Sequence, residues 1–406
     1  MSSEFAVRDN PRFLRNAVVL GLLTAIGPFA IDMYLPSLPS VGQALGVGAD
    51  TAMLSLTGFF ATFALGQMIY GPISDMIGRK TPLYFGILLF LAASVGCALA
   101  SDIDMLIGFR MLQGLGGAAG IIISRAIVRD LHSGVDEARL LSLLMLVLSV
   151  SPLLAPLFGS LIIAQTSWRG IFWFTTLAGL LGLLLAAIFV KETRPRELRA
   201  ESDLTSLLAG CRLLFADRNF LGLTAIGALA ISSFFVFLSH SSFVLMGQYG
   251  LSPTGYSIAF SVNAAAFFAA MQFNGWLGAR FGLQRLVRPA VAGYAAAMTL
   301  LLVLTLARVE SLAVLGTVLF IGYGFVGILL PVTSVLAMAD HGAIAGTASS
   351  LMGTIQLAAG AVIMAVSGAF VDGTALPMVA GIAGCAILSF LAAQFTMTGK
   401  RPIAAE

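Results

Sequence analysis

Long apolar runs separated by short polar connections set the pattern of this chain from end to end. Measured against the ~20 residues a helix needs to cross the hydrocarbon core of a bilayer, these runs fall near residues 14–37, 50–70, 82–101, 103–127, 139–163 and 170–190. A second set occupies 219–246, 254–277, 287–307, 311–336, 345–369 and 375–397. The pattern predicts twelve spanning helices, and an even number returns both termini to one side. An all-α integral membrane protein follows, made of two six-helix bundles at 1–190 and 219–406. The stretch between them, 191–218, reads as a polar linker with one short amphipathic helix. The first run follows Arg8, Arg12 and Arg15, as in a secretory signal. It is too long for a signal core, it carries Asp32, and many equivalent runs follow it, so it is read as an uncleaved first span.

Composition agrees. Of the 406 residues 59% are hydrophobic and 10% charged, with a mean hydropathy of +0.98; a water-facing surface needs about a quarter of its residues charged. The charges that exist are sorted by side. Nineteen of the 22 lysines and arginines fall on the side that holds the termini and the 71–81, 125–139, 191–218 and 280–288 connections, against Arg169 and Arg308 on the other and Arg110 within a span. By the positive-inside rule the N- and C-termini are cytoplasmic. The net charge of +3 therefore reflects topology, and no nucleic-acid partner is expected. Cys97, Cys211 and Cys385 are scattered and odd in number, which implies no disulfide framework. No metal-ligand spacing, cofactor motif or phosphate-binding G-x-x-x-x-G-K-[ST] loop is present, and three scattered histidines speak against a membrane-embedded enzyme.

Two stretches match across the halves. Gly71-Pro-Ile-Ser-Asp75-Met-Ile-Gly78-Arg79-Lys80 lies between spans two and three, and Gly275-Trp-Leu-Gly-Ala279-Arg280-Phe-Gly282 lies between spans eight and nine. The glycine pairs are offset by 204 residues (275 − 71 and 282 − 78), close to the distance between the starts of spans one and seven. Such duplication places a substrate site near the bilayer midplane between halves that rock against each other. The glycines suit a tight turn and close helix approach. Asp75 is expected to cap a helix N-terminus or pair with a cation, Arg129 in the next connection, as a latch that holds one state.

Asp32 is the acid placed inside a span, and Arg110 is the basic residue placed there. A charge at mid-helix costs about 2.5–3.5 kcal/mol on insertion scales. The two sit at similar depth, so mutual attraction favours the carboxylate while desolvation favours the acid. A carboxyl whose proton affinity depends on whether its site is wet can couple to proton movement. Gln113 and Gly114 share a face with Arg110, and Gly114, Gly116, Gly117 and Gly120 admit a close neighbour. On span five, Pro152 and Pro156 with the small residues Ala155, Gly159 and Ser160 suit a bent helix sealed against a partner. Tyr34, Gln113, Ser233, Phe237, Asn263, Tyr323 and Gln356 are candidates for an apolar cavity with a few amides, fit for amphipathic molecules. By the 204 offset, Asp32 and Arg110 correspond to Val236 and Val314, which puts the chemistry in the first half.

With those residues in view the chain resembles the major facilitator superfamily. Gly71, Asp75, Gly78, Arg79 and Lys80 match its G-x-x-x-D-x-x-G-R-K loop, and Leu106-x-x-x-Arg110-x-x-Gln113-Gly114 is similar to its second signature, whose arginine is taken to assist proton transfer. The Asp32–Pro39 run, the loop Arg125–Asp130 and Trp168-Arg169 resemble the bicyclomycin-resistance and chloramphenicol-efflux (Bcr/CflA) branch of drug:H+ antiporters. Ser151-Pro152-x-x-Ala155-Pro156-x-x-Gly159-Ser160 is similar to the antiporter motif, with two glycines replaced. The resemblance implies a monomeric efflux antiporter of a bacterial inner membrane. It would need no cofactor, be driven by the proton-motive force, and exchange protons carried by Asp32 and tuned by Arg110 for amphipathic drugs. The alternative within the same fold is a proton-coupled symporter working in uptake.

Overall fold

The structure, a computed structural model, describes residues 11–195 and 204–397. Every described element is helical: α1 (Pro11–Asp32), α2 (Leu38–Leu45), α3 (Ala49–Ile77), α4 (Lys80–Leu99), α5 (Ile103–Leu131), α6 (Gly134–Gln165), α7 (Trp168–Phe189), α8 (Leu204–Ala216), α9 (Arg218–Ser242), α10 (Pro253–Gln272), α11 (Asn274–Phe281), α12 (Leu283–Leu306), α13 (Leu312–Met338), α14 (Ala345–Gly368) and α15 (Ala375–Met397). Twelve of the described helical segments are long and apolar enough to cross a membrane. Phe85, Leu177, Val303 and Phe395 lie exposed on them, as expected of side chains that meet lipid in place of water.

Boundaries moved where prolines and glycines act. The first predicted span, 14–37, divides: α1 stops at Asp32, a turn follows, and a single 3-10 turn at Leu35–Ser37 leads into α2. Pro36 lacks the N–H that would continue the ladder, and its ring disfavours helix in the residue before it. The second span runs on. Residues 71–77, read as connection, are the last two turns of α3 with Pro72 inside them, and the chain turns only at Gly78, whose φ of +100° suits glycine alone. In the second copy the same turn is made at Gly282, with φ +80°. Gly71 and Gly275, in contrast, face open space or a methyl at van der Waals distance, so the close approach expected at those two positions is absent.

The 204-residue repeat extends through the architecture. α3 covers 49–77, and α10 with α11 covers 253–281, the same limits shifted by 204 (253 − 49 and 281 − 77). In the first half α4 packs on α5 and α7, and α1 packs on α5, α6 and α7. In the second half α12 packs on α13 and α15, and α9 packs on α13, α14 and α15. Each pairing recurs on the corresponding helices, so the same sequence pattern has produced the same packing twice. The chain divides into two compact units. Among the described residues one takes 11–37 and 58–195, and the other takes 38–57 and 204–397, so α2 and the first turns of α3 cluster with the second half of the chain. In the linker, 196–203 lies outside the described residues; the amphipathic segment is α8, against α14, with Gly210 beside Thr347.

Small residues set how closely helices meet in the first unit. A Cβ at Gly114 would run into the Phe59 carbonyl of α3, one at Gly116 into the backbone of α4 at Phe90, and one at Gly120 into the Leu23 carbonyl of α1. α5 therefore touches three neighbours along one glycine-rich stretch, backbone against backbone, as its sequence predicted.

Candidate functional site

Asp32 is the last residue of α1, and its side chain is buried at 5% exposure. Its Oδ2 accepts a hydrogen bond from Ser151 Oγ of α6 at 2.9 Å. The whole face of α6 that carries the proline motif lies along this broken helix end. Ser151 holds the carboxyl, Ala155 packs on Met33 and Ile171, and a Cβ at Gly159 would run into the Met33 carbonyl. Positions 151, 155 and 159 are four apart and so share one face. Pro152 and Pro156 interrupt the helical ladder beside it without ending α6. Replacing the two motif glycines by Ala155 and Ser160 has kept every contact residue small.

Arg110 is fully buried. Its Nη1 donates to Gln113 Oε1 at 2.6 Å and to the Ala30 carbonyl at 3.3 Å. Its Nε and Nη2 have no hydrogen-bond partner; instead the guanidinium lies 4.3 Å from the ring centre of Phe59, 4.5 Å from Tyr34 and 5.8 Å from Phe172. Aromatic faces attract a desolvated cation, which is how this charge is tolerated. Gln113 passes the network on, donating to Ser94 Oγ at 2.7 Å and Thr175 Oγ1 at 3.5 Å. The direct attraction expected between Arg110 and Asp32 is not made: no ion pair joins them among the described residues. The arginine is boxed by rings and reaches instead the backbone two residues before the acid.

The loop motif builds a second polar centre in the same unit. Arg79 is buried, and it pairs with Asp75 Oδ1 at 2.8 Å and grips Asp130 with Nε at 2.8 Å and Nη2 at 3.2 Å. Ser74 Oγ accepts from Nη1 at 2.7 Å. Burial opposes the charge of this guanidinium, and the contacts with Asp130 and Asp75 outweigh it, so its pKa is raised above the usual value. The N–H groups of Arg79 and Lys80, at the start of α4, donate to the two oxygens of Glu192 at 2.8 and 3.1 Å; a carboxylate there answers both the orphan donors and the helix dipole. Thr193 Oγ1 donates to Asp130 at 2.7 Å. Asp75 was expected to meet Arg129; the cations on it are Arg79 and, at 3.7 Å, Arg194. The turn at Gly78 brings Arg79, four residues on, back to Asp75, and Arg129 is not required.

The remaining candidates fall into two groups. Tyr34 and Gln113 belong to the Arg110 box, as packing and hydrogen-bonding partners. Ser233, Phe237, Asn263, Tyr323 and Gln356 belong to the second unit. There Phe237 stacks on Phe260 at 5.5 Å between centroids and lies 5.5 Å from Tyr323, whose hydroxyl donates to the Ser233 carbonyl at 3.2 Å. Phe234 adjoins Phe237, Phe260, Phe267 and Tyr323. Asn263 Oδ1 and Gln356 Nε2 are buried without a hydrogen-bond partner. The sequence reading missed Ser151, Phe59, Phe172, Ser94, Thr175, Asp130 and Glu192 as site-builders. Ser151, at the head of the proline motif, and Asp130, one residue after Arg129, were in view but without a role.

The geometry can be set beside known proteins. The model of the Major Facilitator Superfamily matches residues 20–365. An MFS-type transporter of Bacillus subtilis, YdgK, is 36% identical over 95% of this chain and 96% of its own. A chloramphenicol resistance protein of Pseudomonas aeruginosa is 32% identical over 80% of this chain and 74% of its own. A bicyclomycin resistance protein homolog of Haemophilus influenzae is 29% identical over 93% of this chain and 95% of its own. A D-xylose-proton symporter of known structure shares the fold, with a TM-score of 0.73 over 96% of this chain and 98% of that one at 18% identity. A glycine-turned loop, an arginine signature, a proline motif on the fifth span and twelve helices in two repeats thus meet full-length likeness to transporters and resistance proteins. The chain belongs to the major facilitator superfamily, and its relatives there include a bicyclomycin resistance protein homolog and a chloramphenicol resistance protein.

Proposed function

We propose that this protein is a proton-coupled antiporter that expels amphipathic drugs across a bacterial inner membrane, with both termini cytoplasmic and a monomer as the working unit. The observation that carries the reading is Asp32, a buried carboxyl at a helix break whose oxygen meets, among the described residues, the hydroxyl of Ser151 and no cation. A carboxylate needs charge or several donors to stay ionised away from water. This one has neither, so it takes a proton when its site closes and gives it up when the site is wet or a substrate competes. Arg110, held in its aromatic box, tunes the field and the backbone at Ala30 beside the acid. Each net charge moved inward gains ~2.3 kcal/mol per 100 mV of membrane potential, which powers the cycle without a nucleotide or a cofactor.

In this reading the loop centre of Gly71, Asp75, Gly78, Arg79 and Lys80 latches one conformation, with Arg79 and Arg194 taking the part first assigned to Arg129 and with Asp130 and Glu192 as the acidic partners of the loop. Tyr34, Gln113, Ser233, Phe237, Asn263, Tyr323 and Gln356 contribute to drug binding; among the described residues the unpartnered Oδ1 of Asn263 and Nε2 of Gln356, with the stacked rings of the same unit, support an occupant that is mostly apolar with one or two polar groups.

The test is proton release on adding chloramphenicol to detergent-purified protein. The parent is expected to release protons. Asp32→Asn, which still accepts from Ser151 but cannot titrate, should lose at least ten-fold of that signal while retaining drug binding. Equal release from both proteins would place the proton elsewhere. Counterflow in oriented vesicles then separates export from symport, because acidifying the side opposite the drug drives accumulation only in an exchanger.

A further inference from the structure

His240 sits in the second unit, on α9, with its ring buried at 1% exposure. Nδ1 lies 3.0 Å from the Val236 carbonyl and 3.0 Å from Ser239 Oγ, and Nε2 lies 3.2 Å from the Ser367 carbonyl near the end of α14. Ser239 Oγ is also 3.0 Å from the Val236 carbonyl, to which it can donate. A neutral imidazole has one N–H and one lone pair, whereas this ring faces a carbonyl on each side. Only a ring with a proton on both nitrogens answers both. The hydroxyl of Ser239 makes a second state possible: with the ring neutral and its N–H kept on Ser367, Ser239 turns its proton from Val236 to Nδ1.

Opposing influences act on the ring. Burial penalises the imidazolium, while the carbonyls at the C-terminal end of α14 and Asp372, on the turn after it, favour a cation there. The other formal charge on a described element packed against α9 is Arg212 of α8, which adjoins the Arg218 end of α9 and not the His240 end. Among described residues, α10, α13, α14, α15 and the 243–248 segment hold no Asp, Glu, Lys or Arg, Tyr256 meets Ser241, and Arg218 is at the other end of α9. Asp50 on α3 and Arg308 and Glu310 before α13 are not among the ring's hydrogen-bond partners, which are Ser239, Val236 and Ser367.

The helix pair matters as much as the ring. By the 204 offset α9 and α14 are the counterparts of α1 and α6, and that pair is the one joined by Asp32 and Ser151. We propose that His240 is a second proton-binding site, a reversible clasp whose charged form ties α9 to the end of α14 through a charge-assisted bond to Ser367 and whose neutral form keeps only the weaker neutral bond, so that each repeat carries a titratable link across the same two helices. The inference stands independently of Asp32.

The test is nitrogen-15 NMR of the full-length protein labelled at histidine, which holds three in all, with His240→Gln to assign the signal. One ring should pass between a doubly and a singly protonated form between pH 5 and 8, in the parent and equally in Asp32→Asn. Ser239→Ala removes the donor that supports the neutral ring, so its midpoint should move to higher pH. Asp372→Asn removes a charge that supports the cation, so its midpoint should move to lower pH, less so at high salt. Hydrogen exchange at 367–371, corrected for its intrinsic pH dependence, should be roughly ten-fold faster in the neutral form, the factor that about 1.4 kcal/mol represents. A ring fixed in one protonation state across that range, variant shifts of the opposite sign, or unchanged exchange would each overturn the proposal. None of these outcomes depends on drug-driven proton release, so the two readings can fail separately.

Discussion

Substituting Gly159 by alanine tests how the proline-bearing helix holds the carboxyl of Asp32. The new Cβ would stand 2.9 Å from the Met33 carbonyl carbon and closer still to its oxygen. Carbon atoms rest at about 3.5–4.0 Å, so α6 must retreat by at least ~0.6 Å, the difference between 3.5 and 2.9 Å. Both atoms belong to backbone, and no flexible side chain can yield in their place. The same retreat carries Ser151 from 2.9 Å to about 3.5 Å from Asp32, the limit of a useful hydrogen bond. Overpacking of this kind costs about 1–3 kcal/mol. A melting curve of the purified protein in detergent should therefore shift down by several degrees, with drug-driven proton release weakened in parallel. Gly353 on α14, with nothing within 4 Å of its would-be Cβ, is the matched control. There alanine relieves only the entropy of a helical glycine and should be neutral or stabilising by about 0.4–1 kcal/mol. If Gly159→Ala melted and transported like the parent, the close contact between α6 and the end of α1 would not be what positions the acid.

Other outcomes follow from the remaining centres. Arg110→Lys keeps the charge but loses the planar face over Phe59 and Tyr34 and the Nη1 bond to Gln113. Transport should fall at least ten-fold by drug-accumulation assay even where the protein folds, since the two cations are not equivalent at a stacked site. Arg79→Ala leaves Asp75 and Asp130 without their main cation and should destabilise by about 3–5 kcal/mol, read by thermal unfolding; Arg79→Lys should recover part of this. Asp217, before α9, accepts from the Asn219 N–H and from His341 at 2.8 Å each. Burial works against its charge, and these donors outweigh it, so its pKa lies below the usual carboxylate value. A group lowered in the folded state adds stability that is complete above its unfolded pKa, ~3.9, and is lost as pH falls through the folded one. Melting temperature should thus drop more steeply below about pH 4 in the parent than in Asp217→Asn, and equal slopes would refute the assignment.

Much of this molecule was legible in one dimension because a bilayer leaves few options. Without water to satisfy the backbone, apolar runs of that length must be helices, so the twelve spans, the all-α class and the duplication could be read from periodicity and from glycines 204 residues apart. The loop motif, the two buried charges and the small residues of α5 were also visible, because a charge among apolar neighbours and a glycine inside a helix both stand out against the background. Partnerships were not visible. That Ser151 meets Asp32, that Phe59, Tyr34 and Phe172 enclose Arg110, that Arg79 joins Asp75 to Asp130 while Glu192 caps α4, and that His240 lies between two carbonyls all depend on where separate helices cross. Spacing along one helix fixes which side chains share a face, but which face meets which neighbour is decided only when backbones close on one another at positions such as Gly114, Gly120 and Gly159. The sequence alone determined that charges lie within the membrane; the packing of helices distant in the chain decided what answers them.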